Sequence, residues 1–437
     1  MRNRILAGLY VASLFIVACS APQLLTEPPT QTRTPQSSQT RTPEPATVTA
    51  VPLATSTPDA AVGSAENPLR IRIIQSDLNS DAPLVLLIEA AAQRSNVAVS
   101  VDVQTADGAY ALAQDAELGQ SVDAWIGSEF DAAQLRLSNS IATDVVPIDD
   151  AMYGFARQAI AQHPELAIHP LAARNYLIGM GNTDLLQPIP ITTDDMLRIR
   201  RNTRGRTRYN MAFAWAEGRW FDAFVGLIQP NATSANTTET PSEDTLRQVL
   251  TTYTSLRTLG PRDATSYQES IVDFINWRVP YTLDGDAAIR RYAVYSPTLT
   301  LSYALPPVYA VAGLPLQPPV DVVSFIRSVH ERPGAREAYN TLLNALRDRP
   351  AQQQMLTDLR WIPLSAQIFD GADSEAYPEA AILAAIAPQL SAQVYTPTLI
   401  CRWDAYESIL PFVLLREMRI ENGVSAIRSA IEACYTR

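Results

Sequence analysis

Arg70-Ile-Arg-Ile-Ile-Gln75 opens the stretch that decides the fold, and Ser121-Val-Asp-Ala-Trp-Ile-Gly127 closes it. The first run alternates polar and apolar residues, as a strand with one buried face requires. Pro83 then opens an apolar-rich helix over 84–93, since proline suits a first helical turn. Val97-Ala-Val-Ser-Val-Asp-Val103 alternates strictly and predicts a second strand. A helix over 109–118 leads to the third, short strand at 121–127. Strand, helix, strand, helix, strand at these spacings predicts a parallel sheet covered by helices. Ligands of such sheets sit beyond the carboxyl ends of the strands. That rule selects Gln75-Ser76-Asp77 and Ser128-Glu129-Phe130.

Outward from this stretch, the N-terminus reads as a secretory signal over residues 1–18. Arg2 and Arg4 precede an apolar run from Ile5 to Ala18, and small residues follow. The run is about 14 residues, short of the roughly 20 that a spanning helix needs. Ile16-Val17-Ala18-Cys19 resembles a bacterial lipobox, which implies cleavage before Cys19 and a lipid on its thiol. Two or more acyl chains give a stable membrane tether. Residues 19–65 are rich in Thr, Pro, Ser, Gln and Ala, and Gln-Thr-Arg-Thr-Pro occurs at 31–35 and again at 39–43. Such a segment has too little apolar surface to offset chain ordering and reads as an extended stalk.

About 370 residues remain, enough for two ordinary domains. The net charge of −11 argues against nucleic acid as a partner. The arginines at 198, 200, 201, 204, 206 and 208 form a local exception and are read as a solvated face. The chain contains no lysine. That absence excludes a P-loop and a Schiff-base enzyme, both of which need the lysine amine. The three histidines, His163, His169 and His330, lack a companion cysteine or acidic motif, so neither a metal nor an organic cofactor is expected. No Gly-x-Ser-x-Gly elbow or dinucleotide glycine fingerprint occurs, and an enzyme is not expected. Outside the cytoplasm, Cys401 and Cys434 are most simply read as a disulfide stapling two C-terminal helices.

Further motifs follow in order. Val122-Asp-Ala-Trp-Ile126 is one; Ile189-Pro-Ile-Thr-Thr-Asp-Asp-Met-Leu197 is another, with Thr192 or Thr193 suited to cap a helix. Pro280-Tyr-Thr-Leu-Asp-Gly285, Leu305-Pro-Pro307, Arg336-Glu-Ala338, Trp361-Ile-Pro363 and Gly423 to Ala430 complete the set. Together they resemble the extracellular solute-binding proteins of ABC importers, the large sugar-binding family typified by maltose-binding protein. The resemblance runs from about Asn67 to the C-terminus. It implies an α/β fold of two lobes, each a mainly parallel sheet flanked by helices, with closure about a hinge. Lobe 1 would take 66–179 plus 308–360, and lobe 2 would take 180–307 plus 361–437. Two positions depart from the family pattern. Asn276-Trp-Arg278 stands where a glycine is usual, and Asp286-Ala-Ala288 stands where an aromatic platform is usual.

A sugar site pairs aromatic platforms with hydrogen-bonding carboxylates. Trp125, Trp215, Trp220, Trp277 and Trp403, with Tyr406 on the same helix as Trp403, are the candidate platforms. Asp77, Glu129 and Asp284 are the candidate carboxylates. The expected molecule is a monomeric, lipid-anchored receptor on the extracytoplasmic face that delivers a sugar to a membrane permease. A solute-binding fold serving as a sensor or surface interaction module, uncoupled from transport, is the alternative. A glycosidase would need two carboxylates at a set separation, which sequence does not reveal.

Overall fold

The structure is a computed structural model. It describes residues 60–75, 81–105, 122–202, 209–233, 238–260, 272–294, 300–370 and 377–436. The signal segment, Cys19, most of the stalk, Asp77, the helix expected over 109–118 and Arg204, Arg206 and Arg208 lie outside them.

The first lobe begins with β1 (Leu69–Gln75), α1 (Asp81–Ser95), β2 (Val99–Thr105) and β3 (Ala124–Gly127). After these come α2 (Glu129–Leu137), α3 (Gly154–Gln162) and β4 (Ile168–Arg174). The second lobe holds β5 (Ile178–Asn182), α4 (Thr193–Asn202), α5 (Gly218–Ile228), α6 (Pro230–Thr233) and α7 (Glu243–Arg257). It continues through β6 (Tyr281–Asp284), α8 (Asp286–Ala293), β7 (Leu301–Ala304) and a hairpin of β8 (Val308–Tyr309) and β9 (Leu314–Pro315). The chain then returns through β10 (Asp321–Arg327), α9 (Ala335–Arg347), α10 (Arg349–Thr357) and β11 (Ile362–Pro363). Three helices finish it: α11 (Ala380–Ile386), α12 (Pro397–Leu414) and α13 (Ile420–Tyr435).

Six strands form one sheet in the order β11-β4-β10-β3-β1-β2, and three form another in the order β6-β5-β7. The stretch quoted first supplies the parallel part, in which β1 pairs with β2 on one side and β3 on the other. The remaining pairs of named strands are antiparallel. The reason lies in the connections. Parallel neighbours need a covering crossover, and α1 provides one between β1 and β2. β10 reaches its place from the other lobe, so nothing constrains it to run parallel. The chain passes from the large sheet to the small one through residues 175–177, a few residues before the 179/180 boundary read from sequence. It re-enters the large sheet at Asp321, later than the expected 308, because Tyr309 and Leu316 belong to the second-lobe core.

Local sequence explains the helix starts. Ser128 and Asp131 form a reciprocal capping box at α2, and Thr192 and Asp195 do the same at α4. Ser242, Asp348 and Thr396 cap α7, α10 and α12 through their side-chain oxygens. Arg72 on β1 pairs with Asp102, its register partner on β2, at 2.9 Å.

One core packs α1, α9 and α10 against the large sheet, with Leu69, Ile71, Ile88, Leu342 and Trp361 at its centre. A second gathers α4, α5, α7, α12 and α13 around Tyr253 and Phe221. A third spans the crossing, where Tyr176, Ile178, Val322 and Ile362 pack together. Cys401 and Cys434 are disulfide-bonded and join α12 to α13, with Cα atoms 5.8 Å apart.

The fold also claims the end of the expected stalk. Gly63 lies at φ +91° in a turn closed by its N–H donating to the Asn67 carbonyl, while Ala98 N–H donates to the Gly63 carbonyl at 2.6 Å. A Cβ on Gly63 would stand 2.8 Å from that of Ala338, so glycine is required both by conformation and by close approach.

Candidate functional site

Four residues of α12, Ile400, Trp403, Asp404 and Glu407, recur at three- and four-residue steps and so present one helix face. They line a cleft of about 360 Å³, a volume within the range of small-molecule sites. Ser128 and Phe130, at the start of α2, line it from the large sheet. Arg174 ends β4 and Asp321 begins β10, and the antiparallel register sets them side by side at one sheet edge. Asn175, Asp286 at the start of α8, and Tyr395 just before α12 complete the lining.

Asn175 holds the crossing in place. Its backbone N–H donates to Asp286 Oδ1 at 2.7 Å, its Nδ2 donates to Asp321, and its carbonyl accepts from Arg219. Its φ of 59° is left-handed, a conformation asparagine tolerates better than most side chains. Tyr395 donates its hydroxyl to Asp321. Burial and that carboxylate push the phenol well above its ordinary range.

Three rings run along the cleft. Phe130 meets Tyr395 edge-on with centroids 5.3 Å apart, and Tyr395 meets Trp403 edge-on at 5.7 Å. Behind Trp403, Arg402 is wholly buried, with its Nε 3.3 Å from Asp222 Oδ1. Desolvation raises the Asp222 carboxyl, against the lowering effect of Arg402 and of Trp403 and Tyr406 around it. Gly218, at the start of α5, is where this wall is tightest. A Cβ there would lie 2.6 Å from the Trp403 carbonyl oxygen. Its N–H donates to Glu407 Oε1 at 3.0 Å. Next to it, burial pushes Glu217 up to about 7, with Arg219 opposing and Glu407 adding.

Of the candidate platforms, Trp403 lines the cleft. The others do not: Trp277 stands half-buried at φ 59° in the turn before β6, and the rest are taken up by packing. Trp125 is 1% exposed on β3 and packs with Ile74, Leu135 and Ile326. Trp215 sits edge-on to Phe213 and Tyr253 in the second core. Trp220 is buried there too, with the Arg219 guanidinium 4.6 Å over its ring. Tyr406 is buried on α12 and packs on Phe221. Among the carboxylates, Asp284 is buried at the end of β6, where Oδ1 accepts the Gly285 N–H and Tyr292 donates to Oδ2. Glu129 is 2% exposed. Its carboxyl is pushed up to about 8, first by burial and then by Asp321, with Arg136 opposing.

The lining residues not foreseen as ligand-binding are Arg174, Asn175, Asp286, Asp321, Tyr395, Ile400, Asp404 and Glu407. Helical spacing from Trp403 marks Ile400, Asp404 and Glu407. Arg174 and Asp321 carry no such local mark, because only the β4–β10 pairing unites them.

No family model matches the sequence, and no curated protein matches it. The structure, in contrast, is similar to a solved one, the maltose/maltodextrin-binding domain MalE from Bdellovibrio bacteriovorus bound to maltotriose. The match has a TM-score of 0.64 at 16% sequence identity and covers 84% of this chain and 100% of that one. At that identity the likeness establishes the fold, a two-lobed α/β architecture of the periplasmic binding-protein kind.

Proposed function

We propose that this protein is an extracytoplasmic, lipid-anchored receptor that captures a sugar or oligosaccharide between its lobes and delivers it to an ABC importer. The observation that carries the reading is the cleft itself. It places a row of three rings beside carboxylates, the pairing that a sugar's apolar faces and hydroxyl rim call for. The solved structure similar to this one holds maltotriose. Cys19 would carry the lipid, and the Pro/Thr-rich segment after it would hold the body away from the membrane. Ligand binding would favour a closed arrangement of the lobes by its differential affinity for that state, and the permease would read the closed surface.

The test is a thermal-shift screen of the full chain, freed of carried-over ligand, against mono- and oligosaccharides, amino acids, peptides and polyamines. A ligand at 100 times its Kd adds about 2.7 kcal/mol and raises the midpoint visibly. A hit among sugars supports the reading. Hits confined to peptides or amino acids would discard the substrate class, and silence throughout would favour a sensor or surface interaction module.

A further inference from the structure

The polar groups of the cleft are unequal in kind. Among the described lining residues, Asp286, Asp321, Asp404 and Glu407 bring carboxylates, and Arg174 brings a guanidinium. Arg219, outside the lining, lays its guanidinium over Trp220 and donates to the Asn175 carbonyl. Negative charge therefore exceeds positive around the ligand space.

Ser128, Asn175 and Tyr395, meanwhile, already give their donors to carboxylates. Ser128 Oγ donates to Asp131 Oδ2 at 2.7 Å. Asn175 gives its Nδ2 to Asp321 and its backbone N–H to Asp286, and Tyr395 gives its hydroxyl to Asp321. Acceptors are left over. Asp404 and Glu407 are exposed on the cleft face of α12, and Glu407 accepts the Gly218 N–H on Oε1. A neutral hydroxyl both gives and takes hydrogen bonds, whereas an ammonium offers three donors and accepts none. Charge-assisted bonds to carboxylates are the stronger kind, and the faces of Phe130, Tyr395 and Trp403 also attract a cation.

Resting on the sugar-binding reading above, we infer that the ligand is a cationic amino sugar, its ammonium held by Asp404 and Glu407 beside the Trp403 ring. Its neutral counterpart fits the same volume but leaves this acceptor surplus unmatched.

Two trisaccharides that share one ring framework make the test. The free-amine trimer of glucosamine and its fully N-acetylated form are titrated calorimetrically into the full chain at about pH 6, where an amine is protonated. Maltotriose serves as a third, neutral probe. The amine form is expected to bind at least about tenfold more tightly, equivalent to about 1.4 kcal/mol, with the advantage shrinking as salt is raised. The double variant Asp404→Asn/Glu407→Gln should erase most of that advantage while keeping its unfolding midpoint, since both side chains are exposed. Equal or tighter binding of the acetylated trimer or maltotriose would overturn the inference and leave the sugar-binding function standing. A preference that survives the double variant would overturn the assignment to these two residues. Binding of no sugar at all, with a peptide or amino acid bound instead, would overturn both.

Discussion

Glu129→Gln tests whether the first residue of α2 is a buried neutral acid rather than a ligand-facing carboxylate. Glu129 is 2% exposed, and its Oε1 has no hydrogen-bond partner. Burial, reinforced by Asp321, moves the carboxyl from 4.5 to about 8. The folded protein thus keeps a proton that the unfolded chain gives up near the ordinary carboxylate pKa. Stability from this group is full below 4.5 and is lost as pH rises through about 8. Each pH unit in that window costs about 1.4 kcal/mol, so the deficit is about 3 kcal/mol at about pH 7 and about 5 kcal/mol above pH 8. Glutamine keeps the shape and never ionises. Its advantage over the parent should be near zero at about pH 4 and grow to about 5 kcal/mol at about pH 9. Urea unfolding of both proteins at acidic, neutral and alkaline pH measures this directly. A difference that stays constant with pH, or that favours the parent increasingly as pH rises, would refute the reasoning.

Other expectations rest on the wall behind the cleft. Asp222→Ala strands the buried Arg402 guanidinium and should cost about 3–5 kcal/mol in chemical unfolding, while Asp222→Asn with Arg402→Met should recover most of it. Trp403→Ala should weaken ligand binding about tenfold and lower the midpoint less than loss of a core tryptophan does, because Trp403 is half-buried and only its inner edge packs on the second core. Trp215→Ala should instead cost about 3–5 kcal/mol of stability and leave the affinity of the folded fraction unchanged. Reducing the Cys401–Cys434 bond should remove about 4 kcal/mol in the chain-entropy account, read as a lower urea midpoint that reoxidation restores.

Local pattern sufficed for the elements. Alternation over 70–75 and 97–103 and the Thr192 cap are read directly, and the Ser128 and Thr396 caps and Pro397 in the first turn of α12 are equally local signals. The two remaining cysteines likewise announced their own pairing. Trp403 was legible as an aromatic on a C-terminal helix, but nothing local separates it from Trp125 or Trp215. Which face of an element meets the core and which meets the cleft depends on partners elsewhere in the chain. Trp125 is covered by Ile326, and Trp215 is covered by Tyr253. The cleft itself arises from the β4–β10 register, which joins Arg174 to Asp321, and from Asn175, which ties both to Asp286. Sequence alone determined the strands at 70–75, 97–103 and 121–127 and the helix over 84–93, because those follow from short-range periodicity and capping. Tertiary structure decided the site, because its charges and rings come from segments that only long-range packing brings within bonding distance.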